Sequence, residues 1–219
     1  MYEAVIFDFD GVIIDSEPLH FEASVAALKK CNIVLNYNEY CENYIGLSDK
    51  EMFPKIFAAN CKLCDAKKTE FLIRDKINKY IDIIQQTMHL PFIAGLEQYI
   101  NFLRKQSAKL AICSGSAKEE IVSVLSRSNI KNMKDLFDVI VSYDDVSRGK
   151  PDPEGYLLAS KRLNVLPEKC LVIEDTPFGI KAARAAGMTV IGLLTTHNEA
   201  QLKEAHIISK NFLNLPDIE

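Results

Sequence analysis

Four apolar residues in a row, Ala4-Val5-Ile6-Phe7, stand near the start of the chain. Comparable short runs recur at Lys109 to Cys113, Val139 to Val141, Leu171 to Ile173 and Thr189 to Leu193. Unbroken apolar runs of this length predict strands buried on both faces, the habit of a parallel sheet. Helical spacing fills the gaps between them. Leu96, Tyr99, Ile100 and Leu103 fall at i, i+3, i+4 and i+7 of one helix face. Ile121, Val122 and Leu125 continue the habit, as do Tyr156, Leu157 and Leu163. Pro177 suits the first turn of a helix that runs through Ala183-Arg184-Ala185-Ala186 and stops at Gly187. Strands alternating with helices predict an α/β fold, a parallel sheet joined by crossover helices.

The stretch from about Glu17 to His89 breaks that rhythm. It carries helical patterns, such as Phe21, Val25 and Leu28, and no convincing strand. The pattern therefore predicts a helical insertion after the first strand. Its junctions are Val12 to Pro18 and Met88 to Gly95, the second holding Leu90-Pro91-Phe92 and Gly95 as a hinge.

Composition narrows the classes. The 219 residues are 48% hydrophobic and 26% charged, which suits one or two globular domains. The net charge of −4 and the absence of a Lys/Arg block speak against a nucleic-acid partner. No stretch approaches the ~20 apolar residues of a membrane span. Met1-Tyr2-Glu3 lacks the basic start of a signal peptide, so the cytoplasm is the expected compartment. Of six cysteines, Cys61-Lys-Leu-Cys64 has a metal-like spacing, with Cys31 and Cys41 as nearest partners. No second tight pair and no His at ligand spacing accompany it, so free thiols are expected, with Cys113 and Cys170 as small core residues.

The sharpest chemical feature is Asp8-Phe-Asp10-Gly11, directly after the first strand. Ligands of open parallel sheets bind beyond the carboxyl ends of the strands. Two carboxylates two residues apart repel, and a divalent cation is their natural remedy. Such a cation also lets a phosphate dianion approach. Three later strand ends add to it. Cys113 is followed by Ser114-Gly115-Ser116, small residues whose hydroxyl and N–H groups suit an anion, with Ser116 as the expected helix N-cap. Lys150 sits in the stiff Gly149-Lys150-Pro151-Asp152-Pro153 loop, suited to fixing one charge. Glu174-Asp175 follows Ile173 and leads into a Thr-Pro turn.

Asp8-Phe-Asp10-Gly11-Val12, Ser114-Gly115-Ser116, Lys150-Pro151 and Glu174-Asp175 together resemble the motifs of the haloacid dehalogenase superfamily, in its phosphatase and phosphomutase branch. Asp15-Ser16-Glu17-Pro18-Leu19-His20 and Gly179-Ile-Lys-Ala-Ala look like the β-phosphoglucomutase-like group. The resemblance implies a Rossmann-like, three-layer α/β/α core at 1–16 and 90–219, with an α-helical cap at 17–89. It implies that Asp8 becomes an aspartyl phosphate and that Asp10 acts as acid and then base. It implies Mg²⁺ held by Asp8, the Asp10 backbone carbonyl and Asp175, with Glu174 in support. Ser114 and Lys150 would grip the phosphoryl oxygens.

Within the insertion the resemblance points to His20 for proton handling and Lys76, followed by Tyr80, for a substrate phosphate. Tyr44-Ile-Gly46-Leu-Ser48 is similar to the group's substrate loop, in which mutases carry an Arg just after the Ser; here Asp49 and Lys50 follow. The implied activity is therefore hydrolysis of a small sugar phosphate, by a monomer or weak homodimer. A phosphomutase is the alternative. A dehalogenase and a phosphonate-cleaving enzyme are disfavoured by Asp10, an inactive binding protein by the filled motifs, and NAD binding by the lack of G-x-G-x-x-G. His89, His197 and His206 show no partner at meaningful spacing. Asp144-Asp145 reads as a turn cap and Asp152 as a helix N-terminal residue.

Overall fold

The computed structural model describes residues 2–128, 130 and 133–215. In chain order its elements are β1 (Ala4–Phe7), α1 (Glu17–Leu28), α2 (Tyr37–Asn43), α3 (Asp49–Ala59), α4 (Ala66–Gln86), α5 (Leu96–Lys105), β2 (Lys109–Cys113), α6 (Lys118–Ser126), β3 (Val139–Val141), α7 (Glu154–Leu163), β4 (Cys170–Glu174), α8 (Pro177–Ala185), β5 (Thr189–Leu193) and β6 (Ile207–Ser209). They form two compact units, Met1–Asp15 with Leu90–Glu219, and Ser16–His89.

The first unit is an α/β fold around one six-stranded sheet of order β3-β2-β1-β4-β5-β6, parallel throughout. The pattern predicts five strands; β6 is a sixth. It has three residues and is only half buried along most of its length, so its apolar signal is weak. β1 is central, with Ala4 opposite both Lys109 of β2 and Cys170 of β4. The chain leaves β1 toward β2 and β3, then crosses back to β4 on the other side. The carboxyl ends beside β1 are thus the topological switch point, where such sheets bind ligands.

Strand alternation divides the core. Ala4 and Ile6 join one apolar cluster with Tyr156, Ala159 and Leu163 of α7 and with Ile180, Ala182 and Ala183 of α8. Phe7 points the other way, edge-on to Tyr99 of α5 at 6.3 Å and to Phe137 at 5.8 Å. Such aromatic pairs each contribute ~0.5–1.5 kcal/mol beyond area burial. Cys113 and Cys170 are buried in the first cluster as small core residues.

Among its described residues the second unit holds helices and no strand. Its core gathers Leu28, Tyr40, Tyr44, Phe53, Phe57 and Leu72. Asp65 caps the 21-residue α4 by accepting from Lys68 N at 2.8 Å.

Candidate active site

Each strand of the switch point ends in a polar residue. Asp8 follows β1, its N–H donating to Ile173 O of β4 at 2.9 Å, and Ser114 follows β2, its N–H donating to Val141 O of β3 at 3.0 Å. Glu174 closes β4 and Asp175 follows it. Asp8, Ser114, Glu174 and Asp175 are all buried. Ligand atoms of Asp8, Glu174 and Asp175 lie within 4.8 Å of one another.

Lys150 Nζ bridges this cluster, 2.6 Å from Asp8 Oδ1 and 2.5 Å from Glu174 Oε1. Tyr156 Oη donates to the same Glu174 oxygen at 2.9 Å. Glu174 Oε2 accepts from Asp175 N, Thr176 N and Thr176 Oγ1 at 2.9, 2.9 and 3.0 Å. This density of donors needs close backbone approach. A Cβ on Gly179 would fall 1.6 Å from Glu174 Oε1. Gly11 is constrained twice: its φ is +75°, and a Cβ there would lie 2.0 Å from Asp175 Oδ2.

The electrostatics follow from burying three carboxylates beside one ammonium. Burial pushes Asp8 up from 3.8 to about 7; Lys150 opposes the rise, and Glu174 and Asp10 add to it. Burial, then Glu174 and Asp8, push Asp175 well above the carboxylate range. Burial also works against ionised Glu174, but Lys150 and the donors around it win, and its pKa falls. Burial works against the charged Lys150, which is half-buried, yet Asp8 and Glu174 hold its pKa well above normal. Asp175 Oδ1 is buried without a hydrogen-bond partner. A partnerless buried acceptor beside a cluster of excess negative charge fits a hard cation with oxygen ligands.

Asp10 lies at the rim. It accepts from Ser116 Oγ at 2.5 Å and from Ser114 Oγ at 3.4 Å. Ser116 therefore does not cap α6. Ala117 is the N-cap, its N–H bonded to Glu120 Oε2 at 2.9 Å, which leaves the Ser116 hydroxyl for Asp10.

The family model described as haloacid dehalogenase-like hydrolase matches residues 5–193, from β1 through β5. The chain belongs to the haloacid dehalogenase-like hydrolases. A phosphorylated carbohydrates phosphatase of Thermotoga maritima is 33% identical over 204 residues, 91% of this chain and 88% of that protein. A β-phosphoglucomutase of Bacillus subtilis is 31% identical over 194 residues, 87% of this chain and 83% of that protein. A crystal structure of β-phosphoglucomutase from Clostridium difficile shares the fold with a TM-score of 0.86 and 28% identity, covering 99% of this chain and 94% of that one. Relatives of both named activities thus match at similar identity.

In this haloacid dehalogenase-like hydrolase the core motif residues Asp8, Asp10, Ser114, Gly115, Ser116, Glu174 and Asp175 fall at or just past adjoining strand ends, and Lys150 reaches them from the loop between β3 and α7. The three insertion residues fall in the helical unit. His20, on α1, stacks on Tyr80 of α4, ring centroids 4.3 Å apart. Ser48 is the N-cap of α3, donating to Glu51 Oε2 at 2.8 Å. Lys76 is buried, and both Asp49 oxygens take its ammonium, at 2.9 and 3.1 Å.

Several residues of the site carry no signal in spacing. His197 does have a partner: its Nδ1 lies 3.1 Å from Asp175 O, and burial lowers its pKa. Thr195 Oγ1 donates to Gly11 O at 2.6 Å, and Thr196 hydrogen-bonds the Asp175 carboxylate. Both threonines follow the end of β5, so the strand-end rule that finds Asp8 could have found them. Asp145 accepts from Ser142 N and Oγ at 2.9 Å each, the turn cap the sequence predicts. Asp152 accepts from Glu154 N at 3.0 Å, at the start of α7.

Proposed function

We propose that this protein is a Mg²⁺-dependent phosphate monoester hydrolase that acts on a small sugar phosphate through an aspartyl phosphate on Asp8. The observation that carries the reading is the pairing of buried Asp8 with Lys150 beside the acidic cluster of Glu174 and Asp175. A carboxylate nucleophile needs a cation that escorts the phosphoryl charge without protonating the carboxylate, and an ammonium held charged by two acids meets that need.

Asp8, Asp175 and the Asp10 backbone carbonyl would hold Mg²⁺, with Glu174 in support. When bound, the ion supplies positive charge that admits a phosphate dianion to an acidic site. An Asp8 oxygen attacks phosphorus. The bond from phosphorus to the ester oxygen breaks, and Asp10 in its acid form protonates the departing alkoxide. Asp10, now a carboxylate, takes a proton from water as that water attacks the phosphoryl group. The bond to Asp8 breaks, inorganic phosphate leaves and Asp10 is again an acid. Ser114, Lys150 and the Gly115 N–H bind the phosphoryl oxygens, while the Ser116 N–H donates to Ser114 Oγ at 2.9 Å and holds that hydroxyl in place. Ser114 and Ser116 hydroxyls, which reach Asp10 directly, orient its carboxylate between the two proton transfers. The helical unit takes the role of a cap, with 12–18 and 88–95 as hinges, and His20 and Ser48 are its candidate substrate-binding residues.

Hydrolysis is favoured over isomerisation by the pair Asp49–Lys76. A mutase must hold the far phosphate of a sugar bisphosphate while the molecule turns. A substrate anion at Lys76 competes with a carboxylate that binds it through both oxygens and offsets its charge. The test is phosphate release from a panel of phosphorylated metabolites with Mg²⁺. Turnover of hexose or pentose phosphates, abolished by chelation, supports the reading; no release from any phosphate ester contradicts it.

A further inference from the structure

Tyr156 has no part in the scheme above. It lies in the first turn of α7 and is fully buried in the core cluster. For filling space a phenylalanine would serve, because a buried hydroxyl costs free energy unless it is bonded. Here the hydroxyl donates to Glu174 Oε1 at 2.9 Å. The Lys150 ammonium reaches the same oxygen at 2.5 Å and lies 5.2 Å from the centroid of the Tyr156 ring. The phenol therefore touches both members of one ion pair, the buried carboxylate with its hydroxyl and the half-buried cation with its ring.

The backbone holds it there. A Cβ on Gly155 would fall 2.9 Å from Cys113 Sγ, so the start of α7 packs directly on the last residue of β2. Glu174 Oε2 is taken by two backbone N–H groups and the Thr176 hydroxyl. Oε1 has Tyr156 and Lys150 as its side-chain donors. Without the phenol hydroxyl, Oε1 would depend on the ammonium, and Glu174 would draw Lys150 away from Asp8.

We propose that Tyr156 is a positioning residue, which shares the Lys150 ammonium between Glu174 and the phosphoryl group on Asp8 by satisfying Glu174 Oε1 and facing the cation with its ring. The proposal rests on the phosphotransfer reading of the site.

The test compares Tyr156→Phe with Ser160→Ala. Ser160 lies one turn further along α7 and loses a buried bond to Val165 O, 2.6 Å long, away from the site. Two quantities are read at saturating Mg²⁺: kcat and KM for the best phosphate ester, and the affinity for trifluoroberyllate, a phosphoryl mimic, by ¹⁹F NMR. For Tyr156→Phe both kcat and trifluoroberyllate affinity are expected to fall about tenfold, equivalent to ~1.4 kcal/mol and within reach of one hydrogen bond to a charged group. Ser160→Ala is expected to lower Tm while leaving both quantities unchanged. A Tyr156→Phe protein that loses Tm as Ser160→Ala does, but keeps wild-type kcat and affinity, overturns the proposal and leaves the phosphotransfer reading standing. Wild-type protein that neither binds trifluoroberyllate nor releases phosphate overturns both.

Discussion

Lys150 donates to Asp8 Oδ1 across 2.6 Å, and the second acceptor of that ammonium, Glu174, has no solvent exposure. Removing the lysine strands a buried carboxylate. Breaking a buried pair from one side costs ~3–5 kcal/mol. Lys150→Met should therefore lower stability by about that much, measured by denaturant unfolding, and abolish phosphate release. A Lys150→Met protein of wild-type stability would show that Glu174 does not rely on the pair.

The raised pKa of Asp8 gives the metal-free protein a definite pH dependence. Burial chiefly, against Lys150, moves the carboxyl from 3.8 to about 7. Between those values the folded protein keeps a proton that the unfolded chain has lost, so stability falls as pH rises through the window. In chelator, Tm should drop from about pH 5 to about pH 7.5, and Mg²⁺ should raise Tm more at the higher pH. Asp8→Asn should weaken both effects. A Mg²⁺ gain larger at the lower pH would contradict the assignment.

Two glycines test the packing that supports the acids. Gly179→Ala places a methyl 1.6 Å from Glu174 Oε1, and Gly11→Ala places one 2.0 Å from Asp175 Oδ2 at a left-handed φ. Each should cost at least ~1–3 kcal/mol, the range for overpacking a closed site. Gly11→Ala should also raise the Mg²⁺ concentration needed for half-maximal activity, since Asp175 must move. Gly149→Ala meets nothing within 4 Å and should leave Tm unchanged.

The Asp49–Lys76 pair offers a test of which relative's activity this chain has. With β-glucose 1-phosphate and a trace of β-glucose 1,6-bisphosphate, phosphorus NMR should show inorganic phosphate ahead of glucose 6-phosphate. Asp49→Asn frees the Lys76 ammonium from a charged partner and should tighten binding of the bisphosphate over the monophosphate. Glucose 6-phosphate that clearly outruns phosphate release in the wild type would establish a mutase.

Five strands and the four motif blocks are legible in the sequence because buried parallel strands leave unbroken apolar runs, with Asp8, Ser114 and Glu174-Asp175 at or just past strand ends and Lys150 in the loop that follows β3. What is not legible are partnerships across sequence distance. His197 reads as isolated because its partner is a backbone carbonyl 22 residues away, and Tyr156 reads as an apolar helix position because its hydroxyl finds Glu174 only once α7 packs on the sheet. Ser116 reads as a cap because Ser is a favoured N-cap type, whereas Glu120 serves the backbone and the hydroxyl goes to Asp10. Lys76 reads as either solvated or substrate-facing; the structure buries it against Asp49, a partner 27 residues before it that spacing does not reveal.

The covalent role of Asp8 is the central claim, and trapping the intermediate tests it most directly. Enzyme turning over its best sugar phosphate with Mg²⁺ is quenched with borohydride, which reduces an acyl phosphate to an alcohol, and peptides are mapped by mass spectrometry. The account predicts homoserine at position 8, dependent on substrate and Mg²⁺ and absent from Asp8→Asn. Rapid phosphate release with unmodified Asp8, or with the modification at another carboxylate, would contradict it.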